Sequence, residues 1–227
     1  MTPPVKAITF DVAGTLIQVA EPVGKTYAEW GRRHGVEASE KGLERSFRDV
    51  LKAARSPYAA RSVGTGDQAE LLWWKQVVRD TFAAFLHGEP IPKTVFEPLF
   101  ADLFEHFARP DAWRTVPGAR EILEFLRERM PLGVISNFDS RFYGIAQGHD
   151  LTKYFSSVTL SASAGAWKPE KAIFAATAKG LNLPPRNILH VGDDPARDWE
   201  GARRAGFQVF EYHPETLPLD QLRSLIE

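Results

Sequence analysis

Five short apolar segments limit what this chain can fold into. They have the β-branched and aromatic composition of strands and span residues 5–10, 132–136, 157–160, 187–191 and 207–210. Helical patterns separate most of them, and strands that alternate with helices form a parallel sheet with helices packed on its faces. The sequence therefore predicts an α/β fold built on a doubly wound parallel sheet.

The first two predicted strands are separated by residues 11–131, a far longer interval than one crossover helix needs. We find no strand pattern in the inserted part. Instead, residues 70–86 and 94–107 carry apolar side chains at helical spacing, with Leu71 and Trp74 on the predicted buried face of the first segment. These patterns predict a Rossmann-like core of residues 1–16 and 115–227, and an α-helical cap of residues 17–114. Residues 56–67 are the most loop-like part of the cap.

The composition narrows the classes of function. Lysine plus arginine number 28 against 29 aspartates and glutamates, a formal net charge of -1, so no overall field attracts nucleic acid or an acidic membrane. The sequence has no cysteine, which excludes disulfides and thiolate chemistry. It contains neither a membrane-spanning run nor a signal-peptide pattern. We therefore expect a cytoplasmic protein, as a monomer or homodimer, without nucleic-acid or membrane partners.

Polar side chains follow the predicted strands at their carboxyl ends, where open parallel sheets bind ligands. The first strand leads into FDVAGTL, in which Asp11 precedes a Gly14-Thr15 turn. The candidates after later strands are Ser136, Asn137, Lys168, Asp193, Asp194 and Asp198. A single aspartate after a strand is most often a turn former or helix cap, but this many polar groups at one sheet edge predict a shared site.

This combination suits phosphoryl transfer from a small phosphorylated metabolite. Asp11 would attack phosphorus and form an aspartyl-phosphate, which water then hydrolyses. Aspartates at two strand ends suit Mg²⁺, a hard cation that prefers oxygen ligands, and the backbone carbonyl of Ala13 can serve as a further ligand. Lys168 would balance the remaining negative charge, while the Ser136 hydroxyl and nearby amides donate to phosphate oxygens.

Four motifs, DVAGTL, VISN, WKPEKAIF and HVGDDPARDWEGARRAGF, occur in the order typical of the haloacid dehalogenase superfamily with a helical C1-type cap, which this chain resembles over nearly its whole length. In the cap and at its borders, PVGKTYAEWGRRHGV, WWKQVVRDTF and SNFDSR resemble the subfamily named after rhythmically expressed gene two. The resemblance implies a nucleophile at Asp11, a catalytic cation at Lys168 and a supporting carboxylate at Asp198. It also implies phosphate binding by Gly14, Thr15, Ser136, Asn137 and Lys168, and Mg²⁺ binding by Asp11, Ala13 and one or both of Asp193 and Asp194.

Position 13 departs from the superfamily pattern. Phosphatases that this chain resembles usually carry a second aspartate where Ala13 stands, and that aspartate protonates the leaving alcohol. General acid-base catalysis typically contributes about 10²- to 10⁴-fold to the rate. We therefore expect weak phosphatase activity, a restricted choice of substrate, or a substitute acid supplied by the cap.

Three alternatives stay open. The first is carbon-phosphorus cleavage, because DVAGT resembles the first motif of phosphonoacetaldehyde hydrolase, and Lys25 or Lys52 would then form the Schiff base. The second is carbon-halogen cleavage, although haloacid dehalogenases have Ser and Asn where this chain has Asp193 and Asp194. The third is a phosphate-binding regulatory protein without turnover.

Overall fold

We describe residues 3–58 and 66–226 in a computed structural model. The strands are β1 (Ala7–Phe10), β2 (Ile17–Val19), β3 (Trp113–Thr115), β4 (Leu132–Ser136), β5 (Phe155–Leu160), β6 (Ile188–Gly192) and β7 (Gln208–Glu211). Five of them form a parallel sheet in the order β5, β4, β1, β6, β7. The predicted parallel sheet is confirmed, and each of its strands begins and ends within two residues of the predicted segment.

Helices cover both faces of this sheet. They are α5 (Ala119–Arg127), α6 (Arg141–Gly148), α7 (Ser161–Ala164), α8 (Lys171–Gly180), α9 (Gly201–Arg204) and α10 (Leu222–Ile226). Side chains alternate across the central strand β1: Ile8 and Phe10 pack in the cluster that includes α5, α6 and α10, whereas Thr9 contacts His190 on the opposite face. Because β1 is fully buried, its carboxyl end delivers the next residue to the centre of the sheet edge.

The cap consists of α1 (Val23–Arg33), α2 (Glu40–Ala53), α3 (Asp67–Phe85) and α4 (Lys93–His106). Buried residues of α3 and α4, among them Phe82 and Leu99, share one apolar cluster with Tyr27 and Leu43. The prediction that Leu71 belongs to the buried face is wrong, since it is exposed. The buried face of α3 lies on the side of Val77 and not on the side of Leu71. Within the described residues, no helix is both long and apolar enough to cross a membrane.

Two short strands connect the cap to the core and correct the expectation that the insert lacks strands. β2 and β3 pair antiparallel, with Ile17 opposite Thr115. Three residues are too few to produce a periodic pattern, so only the pairing across the fold reveals them. The predicted boundaries of core (1–16 and 115–227) and cap (17–114) fall at this ribbon, and the division itself stays a prediction.

The amino-terminal part of α3 holds the cap against the core. The Asp67 carboxylate accepts a hydrogen bond from the backbone N–H of Ser140 at 2.8 Å. One turn later Glu70, which is buried, accepts from the hydroxyls of Ser161 in the core and Tyr58 in the cap. Residues 59–65 of the predicted loop lie outside the described residues, but Ser56 before them also bonds to the core, through Glu170. Both ends of this loop therefore lie at the cap-core interface.

Glu70 makes a pH-dependent contribution to the stability of the folded protein, and this contribution can be measured. Burial raises the pKa of its carboxyl above the usual value, so the ionised form destabilises the folded state as pH rises above the unfolded value of about 4.3. We expect Glu70→Gln, which keeps an accepting oxygen, to raise the thermal midpoint relative to the parent protein, and to raise it more at pH 8 than at pH 5. Glu70→Ala should lower the midpoint at both values, because the hydroxyls of Ser161 and Tyr58 lose their acceptor. A Gln effect that is the same at both pH values would contradict this account.

Candidate active site

Asp11 occupies the centre of the carboxyl edge of the sheet. Its backbone N–H continues the β1–β6 ladder by donating to Val191 at 2.8 Å, and its side chain is buried. The Oδ1 atom accepts from the Ser136 hydroxyl at 3.1 Å and from Lys168 Nζ at 2.5 Å. These two donors come from separate parts of the core, and together they set the orientation of the carboxylate.

Lys168 enters the site from the loop between α7 and α8. Its backbone is held by Asn137, whose side-chain oxygen accepts from Lys168 N at 2.7 Å and whose amide donates to Lys168 O at 3.1 Å. The Lys168 side chain is buried, and its Nζ also contacts Asp198 Oδ1 at 2.6 Å. Burial alone would lower the pKa of this lysine, yet Asp11 and Asp198 raise it above the usual value. The ammonium ion is therefore charged and shared between two carboxylates.

Asn137 is placed differently from the expectation for a phosphate-binding side chain. Both ends of its amide bond to the backbone of Lys168, so in this arrangement the side chain positions the lysine loop. Its role toward phosphate stays a prediction.

Asp198 is the buried partner that completes the ion pair. Its Oδ1 is also 3.1 Å from His190 Nε2, and the other ring nitrogen of His190 lies 3.1 Å from the Thr9 hydroxyl. Oδ2 accepts from the backbone N–H of Asp194 at 3.1 Å. Burial opposes ionisation of Asp198, but Lys168 and His190 outweigh it and hold the pKa below the usual range. Asp198 thus contacts the same lysine that contacts Asp11, and its supporting role in catalysis stays a prediction.

Asp193 lies on the other side of Asp11 with few partners. Its Oδ1 accepts from the Thr15 hydroxyl at 3.0 Å. A Cβ on Gly14, which has a φ of 102°, would lie only 2.5 Å from Asp193 Oδ2, so both the turn and this close approach require glycine. Burial, with the neighbouring charges of Asp11 and Asp198, raises the pKa of Asp193 to about 7. This carboxylate is therefore short of positive charge.

Asp194 faces away from this cluster. Its Oδ1 accepts from the backbone N–H groups of Ala196 and Arg197, at 2.9 and 2.8 Å, and so caps the π-helical turn Pro195–Glu200. The sequence left open which of Asp193 and Asp194 binds metal. Asp193 has an oxygen within 4.8 Å of oxygens of Asp11 and Asp198, and the metal assignment itself stays a prediction.

The carboxylates present suit a hard divalent cation. Oxygen atoms of Asp11, Asp193 and Asp198 lie within 4.8 Å of one another. Three carboxylates face one lysine ammonium, so a cation would counteract the burial and the repulsion from Asp11 and Asp198 that together raise the pKa of Asp193. Because Lys168, His190 and a backbone amide already engage Asp198, Asp11 and Asp193 are the side chains best placed to hold the ion.

Ala13 is exposed on the wall of an apolar cavity between cap and core. Sequence reasoning missed the core residues of this cavity, Phe138, Arg141 and Trp167. It assigned the aromatic stripe of α4 to core packing alone, whereas Phe104 also lines the cavity. Arg141 belongs to the quoted SNFDSR motif, which was the available signal. Patterns along one helix cannot reveal a cavity whose walls come from separate elements.

Known proteins of similar sequence indicate the family of this chain. The family model for haloacid dehalogenase-like hydrolases matches residues 5–206. The haloacid dehalogenase-like hydrolase domain-containing protein 3 of Homo sapiens is 33% identical over 207 residues, which cover 91% of this chain and 81% of that protein. The rhythmically expressed gene 2 protein of Drosophila melanogaster is 31% identical over 220 residues, 93% of this chain and 84% of that protein. The chain belongs to the haloacid dehalogenase-like hydrolase family.

The solved structures agree on the fold. The HAD-hydrolase YfnB of Bacillus subtilis, described as bound to magnesium and as showing interdomain movement, superposes with a TM-score of 0.71 at 17% identity. The match covers 99% of each chain. The likeness extends over cap and core together, and it supports the predicted α/β architecture with an inserted helical cap.

Removal of the Lys168 ammonium from the buried ion pair is expected to lower the free energy of unfolding by a large amount. We expect Lys168→Met to destabilise the protein by about 3–5 kcal/mol at pH 8, because Asp11 and Asp198 would remain buried without their partner. Adding Asp11→Asn to that variant should recover part of the loss. Lys171→Met, at an exposed position on α8, is the matched control and should have little effect. Urea unfolding followed by tryptophan fluorescence measures all four proteins, and equal effects at positions 168 and 171 would refute the expectation.

Proposed function

We propose that this protein is a magnesium-dependent hydrolase that transfers a phosphoryl group from a small phosphorylated metabolite to Asp11 and then to water. The observation that carries the proposal is the arrangement around Asp11: Ser136 and Lys168 orient the carboxylate, and Asp193 lies beside it. Family membership supports hydrolase chemistry in general, while this geometry supports the phosphoryl-transfer form.

The reaction divides into two displacements at phosphorus. In the first, Asp11 Oδ2 attacks phosphorus, and the bond to the leaving oxygen breaks with its electron pair remaining on that oxygen. In the second, water attacks the phosphorus of the aspartyl-phosphate, the bond to Asp11 breaks, and inorganic phosphate and a proton are released. Because Oδ1 is held by Ser136 and Lys168, the carboxylate does not have to reorient between the two steps.

The negative charge of the substrate determines what the surrounding groups must do. Magnesium, held by the side chains of Asp11 and Asp193 and the backbone carbonyl of Ala13, would supply positive charge against the phosphate oxygens. Lys168 adds a fixed ammonium ion on the opposite side of Asp11, and the Thr15 hydroxyl orients Asp193. The loop amides would then bind the phosphoryl group, and the Ser136 hydroxyl could donate to it only in exchange for its bond to Asp11 Oδ1.

Proton transfer to the leaving group has no carboxyl or imidazole donor on the cavity wall within the described residues, and burial raises the pKa of the Tyr27 phenol, which makes it a weaker acid. The methyl group of Ala13 cannot donate a proton, and the described residues that line the cavity include no aspartate, glutamate, histidine or lysine. We therefore propose that turnover is restricted to substrates whose leaving oxygen is stable without a proton.

The alternative chemistries fit the site less well. Carbon-phosphorus cleavage needs a lysine in the site, but Lys25 and Lys52 are exposed and neither is among the described residues lining the cavity. Carbon-halogen cleavage has no use for Asp193, whose charge beside Asp11 would hinder a nucleophile without a cation. A regulatory protein without turnover would bind phosphate ligands with magnesium and hydrolyse none.

A panel of phosphorylated metabolites, assayed with magnesium for release of inorganic phosphate, tests the proposal. We expect turnover of at least one class of phosphate ester, and loss of that activity in Asp11→Asn, which removes the nucleophile. Binding without hydrolysis throughout the panel would favour the regulatory protein, and activity that survives Asp11→Asn would rule out the aspartyl-phosphate route.

A matched pair of variants tests the metal assignment without relying on activity. We expect magnesium to raise the thermal midpoint of the parent protein and of Asp194→Asn, since asparagine still caps the helical turn. Asp193→Asn should remove most of this response, because it takes away a carboxylate from the proposed ligands. The reverse ranking of the two variants would assign the metal to Asp194 instead.

An acid introduced at position 13 is expected to change the substrate preference. If the missing acid limits turnover, Ala13→Asp should accelerate hydrolysis of alkyl phosphates by about 10²-fold or more, and that of p-nitrophenyl phosphate much less, because its leaving group hardly needs a proton. Comparison of kcat for the two substrates in both proteins measures this. Equal acceleration of both substrates would contradict the proposed defect.

A further inference from the structure

A cavity of about 400 Å³ separates the cap from the catalytic edge of the core. Its volume lies within the range of roughly 300–1,000 Å³ that small-molecule sites occupy. Aromatic side chains from both parts of the chain line it, among them Tyr27, Phe47, Trp73, Trp74, Phe104, Trp113, Phe138 and Trp167. Trp73 of the cap and Trp167 of the core meet edge to face, with ring centroids 5.2 Å apart. Cap and core thus together line a space with apolar, largely aromatic walls.

This cavity opens onto the catalytic loop. Ala13, Gly14 and Asn137 form part of its wall, and Ala13 is exposed there. An aspartate at position 13 would place a carboxylate on this wall, whereas alanine continues the apolar surface. A phosphoryl group positioned at Asp11 would therefore direct its leaving group past Ala13 into the aromatic chamber.

The two arginines of the wall are already paired. The Arg141 guanidinium donates to both oxygens of Asp139 at 2.8–3.0 Å and stacks on Phe104, 3.8 Å from the ring centroid. Arg197 lies 4.9 Å from the centroid of the Trp167 ring and 3.8 Å from Asp194. Each guanidinium thus lies over an aromatic ring and beside a carboxylate. Apart from Arg197 and the buried Trp167 Nε1, which has no hydrogen-bond partner among the described residues, the wall offers few replacements for the hydrogen bonds to water that a leaving group rich in hydroxyls or charge would lose.

Two independent observations now select the same ligand chemistry. The missing acid at position 13 requires a leaving oxygen that is stable as an anion, and phenolic oxygens, with pKa values of about 10, meet this requirement better than alkyl alcohols do. The aromatic walls favour a planar apolar group, because aromatic rings pack edge to face and in offset stacks. We propose that the substrate is an aryl phosphate, a phosphate monoester of a phenol, with the aryl group bound in this cavity.

This inference rests on the proposed function for its reaction but not for its binding site. In the first displacement the bond between phosphorus and the aryl oxygen breaks, the electron pair stays on the phenolate, and solvent later supplies its proton. Asp11 takes the phosphoryl group and water regenerates the carboxylate. The aryl preference arises at the cavity, so it can be measured with ligands that are not hydrolysed.

Phenylphosphonate and methylphosphonate provide that measurement. Calorimetric titration of the whole protein with each ligand, in the presence of magnesium, should show phenylphosphonate binding about 10- to 100-fold more tightly, because only its ring occupies the cavity. For turnover, phenyl phosphate is compared with hexafluoroisopropyl phosphate, an aliphatic ester with a leaving group of comparable acidity. We expect kcat/KM to favour phenyl phosphate by a similar factor.

Trp74→Leu and Trp30→Leu form a matched pair of variants. Both tryptophans are half-buried and belong to the cap cluster, but Trp74 lines the cavity and Trp30 does not. The aryl preference in binding should fall several-fold in Trp74→Leu and remain in Trp30→Leu, with circular dichroism used to confirm that both variants fold. If Trp74→Leu does not fold, the comparison of the two phosphonates on the parent protein still decides the question.

Each outcome separates this inference from the proposed function. Aryl preference in both binding and turnover supports the two together. Aryl preference in binding with no hydrolysis of any ester supports the aromatic site and overturns the hydrolase. Hydrolysis with equal binding of the phosphonates and equal turnover of the matched esters overturns the aryl inference and leaves the hydrolase standing.

Discussion

The site depends on one buried ion pair, in which the Lys168 ammonium lies between Asp11 and Asp198. Three parts of the core meet at this lysine: the end of β1, the loop after α7 and the π-helical turn after β6. The pair tolerates burial because each charge has a close partner of opposite sign and Asn137 holds the lysine backbone. The same contacts orient the Asp11 carboxylate, so stability and the geometry of the proposed nucleophile have one physical origin.

Asp193 lies beside this balanced pair. Burial and the charges of Asp11 and Asp198 raise its pKa to about 7. Position 13 lies at the junction between this charged cluster and the apolar cavity. Under the proposed function, Ala13 would have two consequences that reinforce each other: position 13 offers no proton donor, and its methyl group extends the apolar wall toward Asp11. In the proposed reaction, the core would supply the phosphoryl-transfer groups, and the cavity between cap and core would hold the leaving group.

Much of the fold was predictable, because strands of a parallel sheet are short, apolar and bounded by polar residues. The sheet edge that gathers Asp11, Ser136, Lys168 and Asp198 followed from the same pattern, since parallel strands bring their carboxyl ends together. Two predictions failed: the orientation of α3 and the absence of strands from the insert. Leu71 is exposed because the buried face of α3 lies on the side of Val77, and the β2–β3 ribbon was missed because three-residue strands have no detectable period.

The sequence by itself determined the α/β class, the inserted helical cap, the nucleophile candidate and the absence of an acid at position 13, because these depend on residue type and on periodicity along the chain. Only the tertiary structure decided that Asp193 rather than Asp194 approaches Asp11, that Asn137 holds the lysine loop, and that Glu70 joins cap to core. It also revealed the aromatic cavity. The physical reason is that side-chain direction and enclosed space arise from contacts between distant segments, which no local pattern encodes.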